Sequence, residues 1–538
     1  MVLLVPEGKL VGNIEKSENF GNNFNLKALF GGNIQRDDIP STFSSTNGGL
    51  VIPGFWSISN SVKTPDAPTE LDYRKEINSL FAGITLSYKD MITLDGTIRR
   101  DQTSTLPAAN NSYYYPSISG NFIFSKLLPE VSWLSYGKFW ANYAEVGNDA
   151  PYYSVYNTYQ INTPINGQPL MSNKAYTTTG AIANNNLNLV PEKNKAYEFG
   201  VQADFVDNRL GFNLTYYHSV QSNEILPISV STATGYNRYY VNGGSVQNEG
   251  WEATLMLVPV KTRNFIWNLN INWSKNNNTV LSLYGGQPSY AVGAYQNSIQ
   301  LVAEVGKPYG IIRGTDYKYL NGQKLVNANG LWERNSNKLS DIGSIQPDWI
   351  AGITNSFTYK NWTFNFLVDF HQGGQVYSLD MDYGSFSGLY PRTATINANG
   401  KNVRADVANG GGTILDGVTD DGKKNTKVIG ESVNDFWTYG SGYGAGAETN
   451  KEFVYSASYV KLREVALTYA IPASALSGLK YINGVSLSLS GRNLWIIHKD
   501  LPYADPEQGQ AAGNASIGFQ NGAYPVARTM SFIVKLTF

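Results

Sequence analysis

Apolar and polar residues alternate with a period of two along this chain, in runs of about ten residues that recur from one end to the other. Between Trp267 and Trp273 the residues Trp267, Leu269, Ile271 and Trp273 alternate with Asn268, Asn270 and Asn272, so one face is apolar and the other carries amides. The same pattern recurs in Phe24 to Phe30, Leu80 to Leu86, Ile92 to Ile98, Phe199 to Phe205, Leu210 to Tyr216, Trp251 to Leu257, Trp362 to Phe370 and Val485 to Leu489. It closes the chain in Arg528 to Phe538, where Met530, Phe532, Val534, Leu536 and Phe538 share one face. Ser531, Lys535 and Thr537 share the other, with Ile533 as the apolar exception. Each run predicts a half-buried strand, and about 14 strands can be counted. No helix of convincing length is predicted.

Very short turns join many of these strands in pairs: Tyr88 to Met91, Val206 to Arg209, Lys261 to Phe265 and Tyr359 to Trp362. Long connections separate the pairs, at residues 37–76, 147–193, 283–308, 373–452 and 498–527. They are rich in Gly, Asn, Ser, Tyr and Pro and lack helical periodicity. Compact soluble domains rarely hold so many long loops, whereas outer-membrane β-barrels alternate short turns at one end with long loops at the other. A barrel also accounts for a last strand ending on an exposed aromatic, because its apolar face meets lipid and its edge pairs with the first strand. The predicted fold is therefore all-β, an antiparallel transmembrane β-barrel. A propeller or tandem sandwich would also alternate, but Trp and Tyr on the apolar faces, with few charges among them, favour lipid over a packed sheet-on-sheet core.

Composition agrees. Only 15% of the 538 residues are charged, below the roughly 25% of ordinary globular domains, while 13% are aromatic. The 41 basic and 42 acidic side chains nearly cancel, which argues against nucleic acid as a partner. Cysteine is absent, which excludes disulfides and thiolate metal sites. No apolar stretch is long enough for a membrane-spanning helix. The opening Val2 to Val5 run is too short for the core of a signal peptide and follows no basic segment, so the sequence predicts either a start inside a longer precursor or a protein that is not exported.

Short motifs follow one another in order along nearly the whole chain. They include Tyr88-Lys89-Asp90 followed by Arg99-Arg100-Asp101, Tyr115-Pro116-Ser117, Asn142 to Asn148, and Leu189 to Glu192 with Glu198-Phe199-Gly200. Asn242 to Val246 with Asn248 to Glu252 continues the series. Ser458 to Val465, Gly491 to Leu494 followed by Asp505-Pro506-Glu507, and Tyr524-Pro525 with Arg528-Thr529 complete it. Together these motifs resemble those of the SusC/RagA-like TonB-dependent transporters of the Bacteroidetes outer membrane, and that resemblance implies a barrel of 22 strands when complete. It also implies an N-terminal domain, a TonB box and a plug before the barrel, and none of these precedes Phe24. Residues 1–538 are accordingly expected to be the C-terminal portion of such a barrel, with the first strand missing, or else one half of a split transporter.

The function this resemblance implies is active import of a bulky nutrient, a glycan or peptide fragment, across the outer membrane. TonB would energise it, a SusD-like surface lipoprotein would act as lid, and no covalent chemistry, cofactor or metal would be involved. A passive porin and a soluble secreted β-rich binding protein are the alternatives. The three histidines, His218, His371 and His498, are far apart, and His371 suits a lumen or girdle position better than catalysis. No nucleophile elbow, phosphate loop or HExxH motif occurs. Asp416 to Gly422 is better read as an acidic turn than as a calcium loop, since Val418 and Lys427 stand where ligands belong. Asp505-Pro506-Glu507 reads as a loop-shaping element. The candidate ligand-binding residues are loop tyrosines beside asparagines: Tyr152, Tyr153, Tyr156, Tyr159, Tyr236, Tyr239 and Tyr240. Alternation puts Arg99, Lys138 and Asn142 on the non-lipid face, toward plug or lumen.

Overall fold

A computed structural model describes residues 8–538 except 22, 129–130, 156–158, 166–167, 174–182, 237, 336–337, 431–447, 479–480 and 511–516. Fifteen strands form one antiparallel sheet in chain order. They are β1 Gly8–Phe20, β2 Phe24–Phe43, β3 Thr69–Tyr88, β4 Ile92–Thr103, β5 Ser112–Phe122, β6 Leu134–Asn148, β7 Glu192–Phe205 and β8 Leu210–Ser222. The order continues with β9 Gly244–Lys261, β10 Phe265–Leu283, β11 Pro347–Tyr359, β12 Trp362–Gly373, β13 Tyr459–Ala470, β14 Gly484–Lys499 and β15 Thr529–Thr537. By contacts the chain divides into two compact units. One comprises the chain up to Lys126 with Lys138–Phe199 and Ser219–Ser245, and the other comprises Leu127–Gly137, Gly200–His218 and Val246–Phe538.

Register explains why period-two sequences suffice to build the sheet. In the first unit Phe30 pairs with Ala82, Ala82 with Ile98, and Ile98 with Pro116, while one step along Leu29 pairs with Gly83, Gly83 with Thr97 and Thr97 with Ser117. The first row is apolar. The second ends in a hydroxyl pair, Thr97 to Ser117, 2.6 Å apart. In the second unit an apolar row runs across six strands through Trp267, Phe357, Phe364, Leu467, Leu489 and Phe532. The opposite face carries Asn268, Ser356, Asn365, Ala466, Ser490 and Ser531 in the adjacent row. Leu489 and Phe532 are 58% and 68% exposed, so this face has no protein covering it among the described residues, as lipid contact requires.

β1 is a strand that the alternation alone does not reveal. Its even-numbered residues lie on the apolar face, opposite Ile34, Phe30, Ala28 and Leu26 in β2, yet two of them are Lys16 and Glu18. These neutralise each other through an ion pair of 2.5 Å near the turn at Gly21. Short turns are built as expected from left-handed residues: Lys89 and Asp90 after β3, Val206 to Asn208 after β7, and Lys360 after β11.

The long connections differ from expectation. The loop expected at 37–76 is shorter, because β2 runs on to Phe43 and β3 begins at Thr69, each strand being 20 residues long. A tilted strand needs only about 9–11 residues to cross a bilayer, so the outer parts of β2 and β3 extend beyond it and carry charges. Parts of the other loops form regular elements. Ser289–Ala294, Gln300–Glu304, Ile311–Gly314 and Ser340–Ser344 form a four-stranded sheet of their own. Gln375–Ser378, Val454–Ser456 and Phe519–Gln520 form a three-stranded one. The helix α1, Leu379–Phe386, follows directly, its start fixed by Ser378, whose Oγ accepts a 3.1 Å hydrogen bond from the Met381 N–H. These pieces enclose an apolar core of Ile299, Leu301, Ile312, Tyr377, Met381 and Phe453. Runs such as Leu301-Val302-Ala303 are buried throughout, so they carry no alternation to betray them.

Candidate functional site

In the second unit the sequence of β13 places its charges with a bulge. Val460 and Leu462 belong to the apolar face, but the next apolar residues are Val465 and Leu467, one step out of phase. Leu367 pairs with Glu464 and Val368 with Leu462, which leaves Arg463 as the extra residue. Tyr459, Lys461 and Arg463 thereby gather at the loop end of β13. Lys461 Nζ lies 2.6 Å from both Asp505 Oδ1 and Glu507 Oε2. Arg463 reaches Asp369 Oδ2 at 2.7 Å and Glu507 Oε2 at 2.8 Å, with a further bond from Nη2 to Glu507 Oε1. Tyr459 donates its hydroxyl to Glu507 Oε1 at 3.2 Å.

Asp505 also shapes the backbone. Its carboxylate accepts the Glu507 N–H at 3.0 Å, starting the single turn Pro506–Gln510 with proline at its first position. Burial alone would raise the pKa of Glu507, but hydrogen bonds from Arg463 and Lys461 and the charges of both outweigh it and hold the carboxyl at about 2. A carboxylate pinned in that state anchors the loop between β14 and β15. It is not poised to give up a proton near neutral pH.

The first unit holds a different arrangement. Around the outer ends of β2 and β3, a cleft of about 460 Å³ is lined by Arg36, Asp38, Arg74, Glu76, Thr105 and Tyr153, among others. Tyr153 sits with φ 55° and binds the end of β3 twice, donating to Asp72 O at 2.8 Å and accepting from Arg74 N at 3.1 Å. Its ring lies 6.3 Å from that of Tyr73, and the Tyr152 ring lies 5.5 Å from the same partner. Charges are paired across the cleft: Arg36 with Glu76 at 2.7 Å and Arg74 with Asp72 at 2.8 Å and Asp38 at 3.7 Å. Stacked tyrosine faces beside exposed ion pairs suit a polar ligand with C–H surfaces.

The candidate tyrosines separate into two groups. Tyr152 and Tyr153 belong to the cleft. Tyr239 and Tyr240 lie in the strand Arg238–Asn242, and Tyr240 is buried against Leu106, Ala150 and Leu189 in a small core. Desolvation by that burial raises the pKa of its phenol. Asn185 and Asn186 tie the groups together, donating to Tyr153 O and Tyr240 O at 3.0 Å each. Tyr236 is half-buried beside the turn at Gly235. Tyr156 lies outside the described residues, and the side chain of Tyr159 does too. Tyr73 was not foreseen as a partner, because it falls inside a stretch the sequence marks as loop.

The three residues expected on the non-lipid face are all on the polar side of their strands. Arg99 Nε binds Asp101 at 2.8 Å and the Tyr115 hydroxyl at 3.0 Å, and its Nη2 binds Ser79 Oγ at 2.8 Å. Lys138 stands over the ring of Trp140 at 4.8 Å. Asn142 Nδ2 donates to Glu198 at 3.0 Å. In the acidic turn, Asp421 accepts from Thr419 Oγ1 and pairs with Lys423, both at 2.6 Å.

A sheet with one apolar face and one polar face, short turns at one end and structured loops at the other, defines a protein of the outer-membrane β-barrel class. The chain belongs to the TonB-dependent receptor-like β-barrel family, whose model matches residues 9–494. TonB-dependent receptor P26 of Formosa agariphila is 26% identical over 560 residues, which cover 98% of this chain and 52% of that receptor. SusC of Bacteroides thetaiotaomicron is 24% identical over 376 residues, 64% of this chain and 36% of that protein. Among solved structures the RagAB peptide transporter superposes with a TM-score of 0.74 at 19% identity, covering 98% of this chain and 55% of that one. The chain spans about half the length of the curated relatives it matches.

Proposed function

We propose that this chain supplies the C-terminal barrel portion of a SusC-like importer that takes up a bulky nutrient, a glycan or peptide fragment, with energy delivered through TonB and a SusD-like lipoprotein as its lid. The observation that carries this reading is the pair of opposed rows: six apolar residues from Trp267 to Phe532 on one face and, on the other, amides and hydroxyls with one alanine, Ala466. Family membership and the structured outer loops support it, because a loop layer with its own core can present a fixed surface to cargo and lid. The likeness to a peptide transporter supports the peptide alternative at the level of fold.

Uptake in the native host tests the reading. Import of the nutrient should stop when TonB is deleted, whereas a passive porin would continue to admit it. Extraction should require detergent, and the folded protein should migrate faster on a gel before boiling than after; recovery in the aqueous fraction would support a soluble binding protein instead. Leu489→Lys, in the apolar row, should cost about 2–4 kcal/mol of barrel stability if that row faces lipid at mid-depth, and close to nothing if it faces water.

A further inference from the structure

A second cleft, of about 540 Å³, lies in the second unit where β12 ends. Gly373 and Gly374, at φ 77° and 69°, turn the chain there from the large sheet into Gln375–Ser378. His371 and Ile350, register partners on the polar face, both line the cleft. The rest of its wall is largely aliphatic, with Ile345, Pro347, Val376, Ala457 and Ile517.

Several of its polar atoms are already engaged. Gln346 Nε2 donates to Tyr309 O at 2.9 Å, and Gln375 Oε1 accepts from Ser344 N at 3.0 Å. Asp369 is held by Arg463, and Tyr459 binds Glu507. His371 differs. It is only 9% exposed, its ring stacks on Tyr459 at 5.3 Å, and its Nε2 has no hydrogen-bond partner among the described residues. A buried polar atom left unpaired is destabilising, and it becomes an asset when a ligand supplies the missing partner.

We propose that this cleft is a binding subsite for one aliphatic residue of a peptide, with a backbone amide of the ligand hydrogen-bonded to His371 Nε2 and its side chain against Ile345, Ile350 and Val376. A buried unpaired nitrogen beside an aliphatic wall matches the N–H and apolar side chain of one peptide unit. A sugar ring would set hydroxyls against that aliphatic wall, and would find few free aromatic faces on which to stack. The subsite rests on the import reading, since a cleft on the polar face of the barrel meets a nutrient only in a transporter.

The test uses the full-length transporter in detergent with 15N-labelled histidine, the His371 resonance being the one lost in His371→Phe. N-acetyl-leucine N-methylamide should shift that resonance, and methyl α-glucoside should not. His371→Phe should weaken binding of the leucine amide about three- to tenfold, as loss of one neutral hydrogen bond does, while His371→Gln keeps most of it. Unchanged heat-modifiable migration of both variants establishes that they fold. A shift with the glucoside alone, with both probes alike, or with neither would overturn the proposal. Failure of TonB-dependent uptake with the leucine-induced shift intact would count against the import reading and leave the subsite standing.

Discussion

The ion cluster around Lys461 and the cleft around Tyr153 are built from the same residue types, at the loop ends of strands, and they behave oppositely because of burial. Side chains of Lys461 and Asp505 are about 5% exposed, while Arg36 and Arg74 are about 70% exposed. In the cluster each charge has lost most of its water, so its partners are obligatory and the loop carrying Asp505 and Glu507 is fixed. In the cleft water competes with every pair, so Arg74 can share Asp38 and Asp72 and can exchange either for a ligand at little cost. The same side chains make a rigid anchor in one place and an adaptable surface in the other.

The most damaging way to break this contrast is Lys461→Met, which leaves Asp505 and Glu507 buried without their shared cation. It should cost about 3–5 kcal/mol, read as a lower unfolding midpoint and as new protease cleavage within residues 499–529. Acid comes next. The Glu507 pKa of about 2 lies below its ordinary value of 4.5, so its stabilisation is fully present above the ordinary carboxylate range and is lost as pH falls through 4.5 toward 2. The loss should approach roughly 3 kcal/mol, visible as pepsin cleavage of the same loop, and Glu507→Gln should flatten that pH dependence.

In the cleft, Tyr153→Phe removes the hydroxyl that joins Asp72 O and Arg74 N. The expected effect is about 1 kcal/mol, with faster amide exchange at Arg74 and little change elsewhere. Arg36→Ala should be smallest, within about 1 kcal/mol and fading further with added salt. A larger loss from Arg36→Ala than from Lys461→Met would reverse the contrast between the two regions.

Much of this was legible in the pattern of residues. Strict alternation located most of the sheet, and turn chemistry at Lys89-Asp90 and Lys360 marked its hairpins. β1 escaped because Lys16 and Glu18 interrupt its apolar face, and pattern reading cannot see that they cancel each other. The bulge at Arg463 is legible as a phase slip between Leu462 and Val465, since apolar residues two apart give way there to a step of three. The charged residues of that motif and of Asp505-Pro506-Glu507 were both noticed. That they bind one another depends on a return of 44 residues for Lys461 and Asp505, which no local pattern encodes.

The two-faced sheet, the alternation of short and long connections and the membrane setting follow from residue order alone, through a period of two and the positions of turn residues. Long-range contacts settle that loop segments share a core of their own, that Tyr73 joins Tyr152 and Tyr153, and that His371 Nε2 is buried without a partner among the described residues. Those outcomes depend on which segments meet across scores of residues, and on how much water each contact excludes.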